Sequence, residues 1–116
     1  MSDLSFEKNL YVLDEISNLN YNWNNNKAEA FSSQLIDKVK NIIKQLSIQP
    51  DIFPTACESI QLEYINERGD YLEYEIFENG KIRQYFNSFD DKIDISKYVI
   101  EINNIDIENF MSNNFN

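Results

Sequence analysis

Residues 59–88 read SIQLEYINERGDYLEYEIFENGKIRQYFNS and decide the fold of this chain. Apolar and polar side chains alternate through three runs, as expected of strands with one buried face. The runs are residues 59–66, 70–77 and 81–88. Two triplets separate them, Glu67-Arg68-Gly69 and Glu78-Asn79-Gly80, and these hold the only two glycines of the chain. We therefore predict a three-stranded antiparallel meander.

Side-chain parity predicts the length of the two turns. If the first triplet is a three-residue loop with Gly69 in the left-handed region, Tyr64 faces Leu72 and the apolar partners share one side of the sheet. A two-residue loop would instead place Tyr64 opposite a glutamate. The same argument for the second triplet pairs Ile76 with Ile82. Both turns are therefore predicted to be three-residue loops closed by glycine.

Two amphipathic helices are predicted before the sheet. Apolar residues recur at helical spacing between residues 6 and 19, with Ser5 as a suitable N-cap. A wide apolar stripe between residues 35 and 46 predicts a second helix, capped by Ser32 or Ser33. Pro50 and Pro54 then bracket an extended crossing segment, because neither proline can continue the helix.

The C-terminal part has a weaker pattern. Residues 89–96 form an acidic connection, residues 98–102 alternate as a fourth strand, and residues 106–111 indicate a short terminal helix. The prediction is a single α+β domain over residues 1–116. In it, two N-terminal helices pack on one face of an antiparallel meander of three or four strands.

Charge and residue usage exclude several classes of function. The chain has 116 residues and a net charge of -10, from ten Lys and Arg against twenty Asp and Glu. Such a field opposes direct binding to nucleic acid or an anionic bilayer and favours a basic protein partner. Histidine is absent and Cys57 is the only cysteine, which excludes an intrachain disulfide and a zinc site of the usual ligands. With no signal peptide and no apolar run of about 18 residues, we expect a cytoplasmic protein.

Several features recur together in a known group of proteins. They are Leu19, Asn22-Trp23, Ala28, Pro50, Pro54, the strand Ile60-Gln61-Leu62-Glu63-Tyr64, the strand Leu72-Glu73-Tyr74-Glu75-Ile76, and Gly80. Over roughly residues 13–86 this order resembles small uncharacterised bacterial and phage proteins with an Asn-Trp-Asp-Gly-x-x-Ala loop and Ile-Gln-Leu-Glu-Trp and Leu-Glu-Ile-Glu-Ile strands. The chain departs from that pattern at Asn24-Asn25 and at Tyr64. The resemblance implies the same fold and a bacterial or mobile-element origin, and it supplies no catalytic residues.

The outward face of the predicted meander is the candidate site. Glu63 and Glu73 would face each other there, at a cost of up to ~1 kcal/mol in an exposed sheet. We expect a solvent-facing docking surface for Lys or Arg of a partner. Its predicted residues are Glu63, Tyr71, Glu73, Glu75, Tyr85, Asp90 and Asp91. A solvated face whose charge Arg83 partly offsets is the simpler interpretation of the same pattern.

These observations predict a non-enzymatic acidic protein that inhibits a basic, nucleic-acid-handling partner. A phage anti-defence inhibitor of a CRISPR nuclease would be an example. An antitoxin or immunity protein against a co-encoded toxin would use the same physics, and an enzyme using Glu63 and Glu73 as paired carboxylates is the alternative of another class. No cofactor or metal is predicted, since the acidic connection lacks the spacing of a calcium loop. Trp23 is expected to pack in the core, and Cys57 to be an inert, partly buried thiol.

Overall fold

A computed structural model describes residues 4–115. The elements are α1 (Leu4–Ser17), α2 (Ser33–Ile43), β1 (Asp51–Thr55), β2 (Ser59–Ile65), β3 (Tyr71–Phe77), β4 (Ile82–Asn87), β5 (Asp94–Val99) and α3 (Asn104–Asn114). The five strands form one antiparallel sheet in chain order. Side chains from all three helices join one face of this sheet in a single hydrophobic core. The predicted α+β class is confirmed, with five strands in place of three or four.

The central meander has the predicted register. Tyr64 pairs with Leu72 and Ile76 pairs with Ile82, so both three-residue loops are confirmed. Gly69 and Gly80 have φ angles of +99° and +93°, a region that other residues adopt only with strain. The two glycines therefore set which side chains enter the core.

The sheet gains one strand on each side of the meander. The segment predicted only as extended forms β1, where Ile52 pairs with Leu62. Pro54 is tolerated there because β1 is an edge strand and Pro54 need not donate to a ladder. On the other side, β5 begins at Asp94 rather than at residue 98. The hairpin closes early, since the Ser88 N–H donates to the Ile93 carbonyl at 2.9 Å, and pairing begins directly after it.

The helix boundaries show how the sequence begins each helix. Ser32 caps α2 as predicted, whereas Ser5 lies inside α1, which already includes Leu4. The terminal helix α3 is longer than predicted because Asn103 and Asp106 form a reciprocal capping box at its start. Asn and Asp at these two positions were the sequence signal for the earlier start.

A carboxylate from the second turn joins the helical layer to the sheet. Glu78 accepts hydrogen bonds from the Ser32 N–H at 2.7 Å and the Ser32 hydroxyl at 2.6 Å. Its negative charge lies at the N-terminus of α2, where the helix dipole favours an anion. The glutamate of the Glu78-Asn79-Gly80 triplet thus helps to set the position of α2 on β3 and β4.

The inward face of the sheet buries two tyrosines in different ways. The Tyr64 hydroxyl donates to the Ile48 carbonyl at 2.6 Å. Tyr74 is fully buried, and its hydroxyl has no hydrogen-bond partner among residues 4–115. An unsatisfied buried hydroxyl costs about 1–3 kcal/mol, whereas a satisfied one contributes about 1 kcal/mol.

The two tyrosines therefore make a matched pair for mutation. Tyr74→Phe should leave the free energy of unfolding unchanged or raise it by up to about 1 kcal/mol, because it removes only an unpaired polar atom. Tyr64→Phe should lower it by about 1 kcal/mol, since the Ile48 carbonyl loses its donor. Urea unfolding followed by circular dichroism measures both values. Equal losses in the two variants would contradict the assignment of an unpaired Tyr74 hydroxyl.

Candidate functional site

The sheet face opposite the helices carries the candidate site, and we call it the outer face. Strand alternation and the observed register place its charged and aromatic side chains. They are Asp51 and Phe53 on β1, Glu63 on β2, Tyr71, Glu73, Glu75 and Phe77 on β3, Arg83 and Tyr85 on β4, and Asp94 and Tyr98 on β5. Among the described residues, all three helices lie on the other side of the sheet. Five of the seven predicted partner-binding residues therefore share one face.

An ion-pair network occupies the centre of the outer face. The Arg83 guanidinium lies 3.1 Å from the Glu73 carboxylate and 3.4 Å from the Glu75 carboxylate. The Tyr71 hydroxyl donates to the second oxygen of Glu73 at 2.7 Å, and the Ser59 hydroxyl donates to Glu75. Both carboxylates thus have a cation and a hydroxyl donor from within the sheet.

The expected exposure of these two glutamates is wrong. Glu73 and Glu75 are each only 7% exposed. The rings of Tyr71 and Tyr85 lie beside Glu73 with their centroids 5.9 Å apart, and Arg83 lies over the Tyr85 ring. Large neighbours on β3 and β4 therefore shield the carboxylates from water, although no helix of residues 4–115 covers them. Glu73 and Glu75 shape the electrostatic potential of the face but do not offer free oxygens to a partner.

Glu63 differs from the other two glutamates. It is half-buried, faces Glu73 on one side as predicted, and faces Asp51 on the other. Burial raises the pKa of Glu63; the Tyr71 hydroxyl offsets this in part, and the charges of Glu73 and Asp51 raise the pKa further. A raised carboxyl pKa means that ionised Glu63 lowers the stability of the folded state. Ionised Glu63, which lies between Asp51 and Glu73, is therefore a negative charge that folding alone does not favour.

Asp90 and Asp91 do not join the outer face. They lie in the turn of residues 88–93 between β4 and β5, where Asp90 accepts from the Ser88 hydroxyl at 2.8 Å and the Lys92 N–H at 3.1 Å. These hydrogen bonds, with the Ser88 one foremost, lower the pKa of Asp90. Asp91 is exposed at a φ of +60°. Both side chains are exposed, and Asp90 in addition organises the turn.

Asp70, which the sequence analysis did not single out, joins two turns at this end of the sheet. Its buried carboxylate accepts from the Asn66 amide at 2.9 Å, the Phe89 N–H at 2.9 Å and the Arg68 guanidinium at 2.7 Å. The hydrogen bonds from Asn66, Phe89 and Arg68 lower the pKa of Asp70 to about 2. The local signal was an acid directly after a left-handed glycine, but its partner at residue 89 is too distant in sequence to be predicted.

The loop around Trp23 forms its turn without the glycine of the Asn-Trp-Asp-Gly pattern. Trp23 is half-buried against the core as expected of a packing residue, and its ring nitrogen donates to the Glu29 carbonyl at 2.8 Å. Asn25, at the place of the pattern's glycine, has a φ of +60°. Asparagine tolerates this region better than most residues, so the turn forms without glycine. Cys57, in contrast, is exposed rather than partly buried.

The described part of the chain shows neither a metal-binding cluster nor a membrane-spanning helix. Residues 4–115 contain no group of three His, Cys, Asp or Glu side chains placed to hold a metal ion. None of the helices in that range has the length and apolar content needed to cross a bilayer. No protein-family model, curated protein or solved structure matches the chain. The resemblance to small bacterial and phage proteins stays a prediction.

Glu63→Gln tests whether the charge of Glu63 opposes folding. The variant should raise the free energy of unfolding at pH 7 by up to about 1 kcal/mol, because it removes a charge that lies between two others. The gain should disappear below pH 4.5, the ordinary pKa, where the carboxyl is protonated in both the folded and the unfolded state. Urea unfolding between pH 3.5 and 7 measures the difference. Glu15→Gln, on the exposed side of α1, is the control and should change little.

Asp70→Asn tests the carboxylate that joins the two turns. Because the pKa of Asp70 is lowered on folding, its stabilisation is complete above pH 4 and is lost as the pH falls toward 2. The variant should therefore have a lower melting temperature than the parent at pH 7, and the gap should close between pH 4 and pH 2. Thermal unfolding by circular dichroism measures both curves. A gap that stays constant over this range would contradict the assigned role.

Proposed function

We propose that this protein is a non-enzymatic acidic binding protein that inhibits a basic, nucleic-acid-handling partner. It does so by covering the Lys and Arg side chains with which that partner binds phosphate. The observation that carries the proposal is the row of Asp51, Glu63 and Glu73, which places three carboxylates side by side across three strands, with burial and then the neighbouring charges raising the pKa of Glu63 in the middle of the row. Residues that oppose folding are characteristic of functional surfaces.

The charge balance of the outer face supports a cationic partner. Its strand positions carry five carboxylates, at Asp51, Glu63, Glu73, Glu75 and Asp94, against one guanidinium, at Arg83. One ammonium, that of Lys81 just before β4, lies over the Tyr98 ring, so the face still has an excess of negative charge. Glu73 and Glu75 share that guanidinium, so Asp51 and Glu63 are the nearest carboxylates with oxygens left for a partner. Lys and Arg approaching this row would relieve the repulsion within it.

Exposed aromatic side chains supply the apolar part of the interface. Phe53 and Tyr98 lie at opposite ends of one cross-strand row, and both are exposed, at 45% and 62%. Interfaces of binding proteins combine such aromatic anchors with charge at the rim. A guanidinium that pairs with Glu63 could also stack on an aromatic ring of this face. The same chemistry suits the phosphate-binding surface of a nuclease, which is the partner class expected from the sequence.

Charge reversal on the outer face tests the proposal. Asp51→Lys/Glu63→Lys should weaken capture of heparin-retained proteins from a bacterial extract about ten-fold or more, because two attractive charges become repulsive. Glu73 and Glu75 are left intact, since reversing them would leave Arg83 unpaired. The control, Asp14→Lys/Glu15→Lys, makes the same change in net charge on the exposed side of α1. Quantitative mass spectrometry of the captured proteins compares the variants with the parent.

Two further readouts connect binding to inhibition. Proteins captured by the parent should be released by a double-stranded DNA oligonucleotide, and their DNA binding should fall when the parent is added. Binding should also weaken as salt rises from about 0.05 to 0.5 M, since the attraction is electrostatic. Equal capture by the outer-face and α1 variants, or captured proteins that do not compete with DNA, would overturn the proposal.

A further inference from the structure

A groove of about 750 Å³ lies away from the centre of the outer face. The C-terminal half of α3, the segment that follows α2 and the β2–β3 turn form its walls. Met111 and Phe115 of the α3 end and Tyr64 of β2 line its apolar part, and the Phe115 ring meets the Tyr64 ring edge-on at 6.4 Å. Its volume is in the range of ligand pockets in proteins, which is about 300–1,000 Å³.

Two isoleucines that line the groove are exposed to solvent. Ile48 is 62% exposed and Ile65 is 69% exposed, and both line the groove. Neither belongs to the core, which holds Tyr64 and Met111. Ile65 pairs with Tyr71 and so lies at the rim of the groove, on the outer-face side of β2. Two exposed isoleucines that flank one apolar groove are typical of a surface that becomes buried by a partner.

The charged groups of the groove are all of one sign. Glu67 and Glu108 line it, and none of the described lining residues is Lys or Arg. The Ser47 hydroxyl donates to the Glu108 carboxylate at 3.0 Å and so holds it at the groove. Arg68, next to Glu67 in sequence, is bound to Asp70.

A second observation shows that the charge of Glu108 is felt inside the groove. The pKa of Tyr64 is raised, chiefly by burial and next by the negative charge of Glu108. The groove thus has a negative potential together with an apolar lining. An anionic or purely apolar ligand would lose one of these two interactions.

We propose that this groove binds a segment of a partner protein that presents a bulky apolar side chain next to a Lys or Arg. The apolar side chain packs on Tyr64 and Met111 beside Ile48, with Ile65 at the rim of the groove, and the cation pairs with Glu67 or Glu108. Charge complementarity decides the class of occupant, because the lining offers two carboxylates and no cation to a ligand. Neither Asp51 nor Glu63 lines the groove, so this inference does not rest on the proposed function.

A defined peptide tests the groove without knowledge of the partner. The probe is acetyl-Lys-Leu-Trp-Lys-amide, and methyl NMR of the folded protein reports its binding. We expect saturable shifts of the methyl signals of Ile48, Ile65 and Met111. The matched peptide with Glu in place of both Lys should bind at least ten-fold more weakly.

Two variants separate the charge from the apolar contact. Glu67→Gln/Glu108→Gln should weaken binding of the Lys peptide about ten-fold and remove most of its advantage over the Glu peptide. Ile65→Ser should weaken both peptides. The controls are Glu58→Gln/Glu101→Gln, which changes the net charge equally at exposed positions elsewhere, and Ile100→Ser, at a side chain 93% exposed outside the groove.

The outcomes that would overturn the inference are specific. They are shifts confined to the outer face, equal binding of the Lys and Glu peptides, or no shift of the three methyl groups at millimolar peptide. The Asp51→Lys/Glu63→Lys variant should still bind the Lys peptide, so failure of the proposed function and failure of this inference give different results.

Discussion

The left-handed conformation of Gly69 and Gly80 is the constraint on which the structure depends. Each glycine closes a three-residue loop, and a loop shorter by one residue would exchange the faces of every side chain in the next strand. Ile76 would then point outward, and Glu73 and Glu75 of the same strand would enter the core. The register that buries Leu62, Tyr74 and Ile82 is thus the same register that gathers the acidic row on the outer face.

The distribution of arginine decides which acidic groups remain available. The chain has two arginines, and both are engaged within the fold, Arg68 with Asp70 and Arg83 with Glu73 and Glu75. Residues 59–116 carry twelve acidic and five basic side chains. Removing the three acids and two arginines of these ion pairs leaves nine acids and three lysines. The surface charge of this half therefore stays strongly negative although its most central glutamates share an arginine.

The sequence predicted the parts of the fold that local rules control. Alternation and the two glycines predicted the register from Ser59 to Phe77 residue by residue, and Ser32 is one of the two serines predicted to cap α2. The edge strands were harder, because the pairing of Ile52 with Leu62 competes with the turn signal of Pro50 and Pro54. The burial of Glu73 was missed because it depends on how far the Tyr71 and Tyr85 rings extend across the sheet. How far the rings extend depends on the side-chain rotamers, which the order of residues in the sequence does not determine.

If the outer face and the groove bind partners as proposed, charge and apolar contact have different physical roles in recognition. The net charge of -10 acts over about one Debye length, ~8 Å at physiological salt, and attracts any basic protein at a rate that depends on ionic strength. Long-range attraction of this kind does not distinguish one basic partner from another. Discrimination requires contacts that only one partner satisfies, and the exposed side chains of Phe53, Tyr98, Ile48 and Ile65 provide apolar area of defined shape beside carboxylates. Under the two proposals, charge would set how fast partners arrive, and these apolar side chains would determine which of them stay bound.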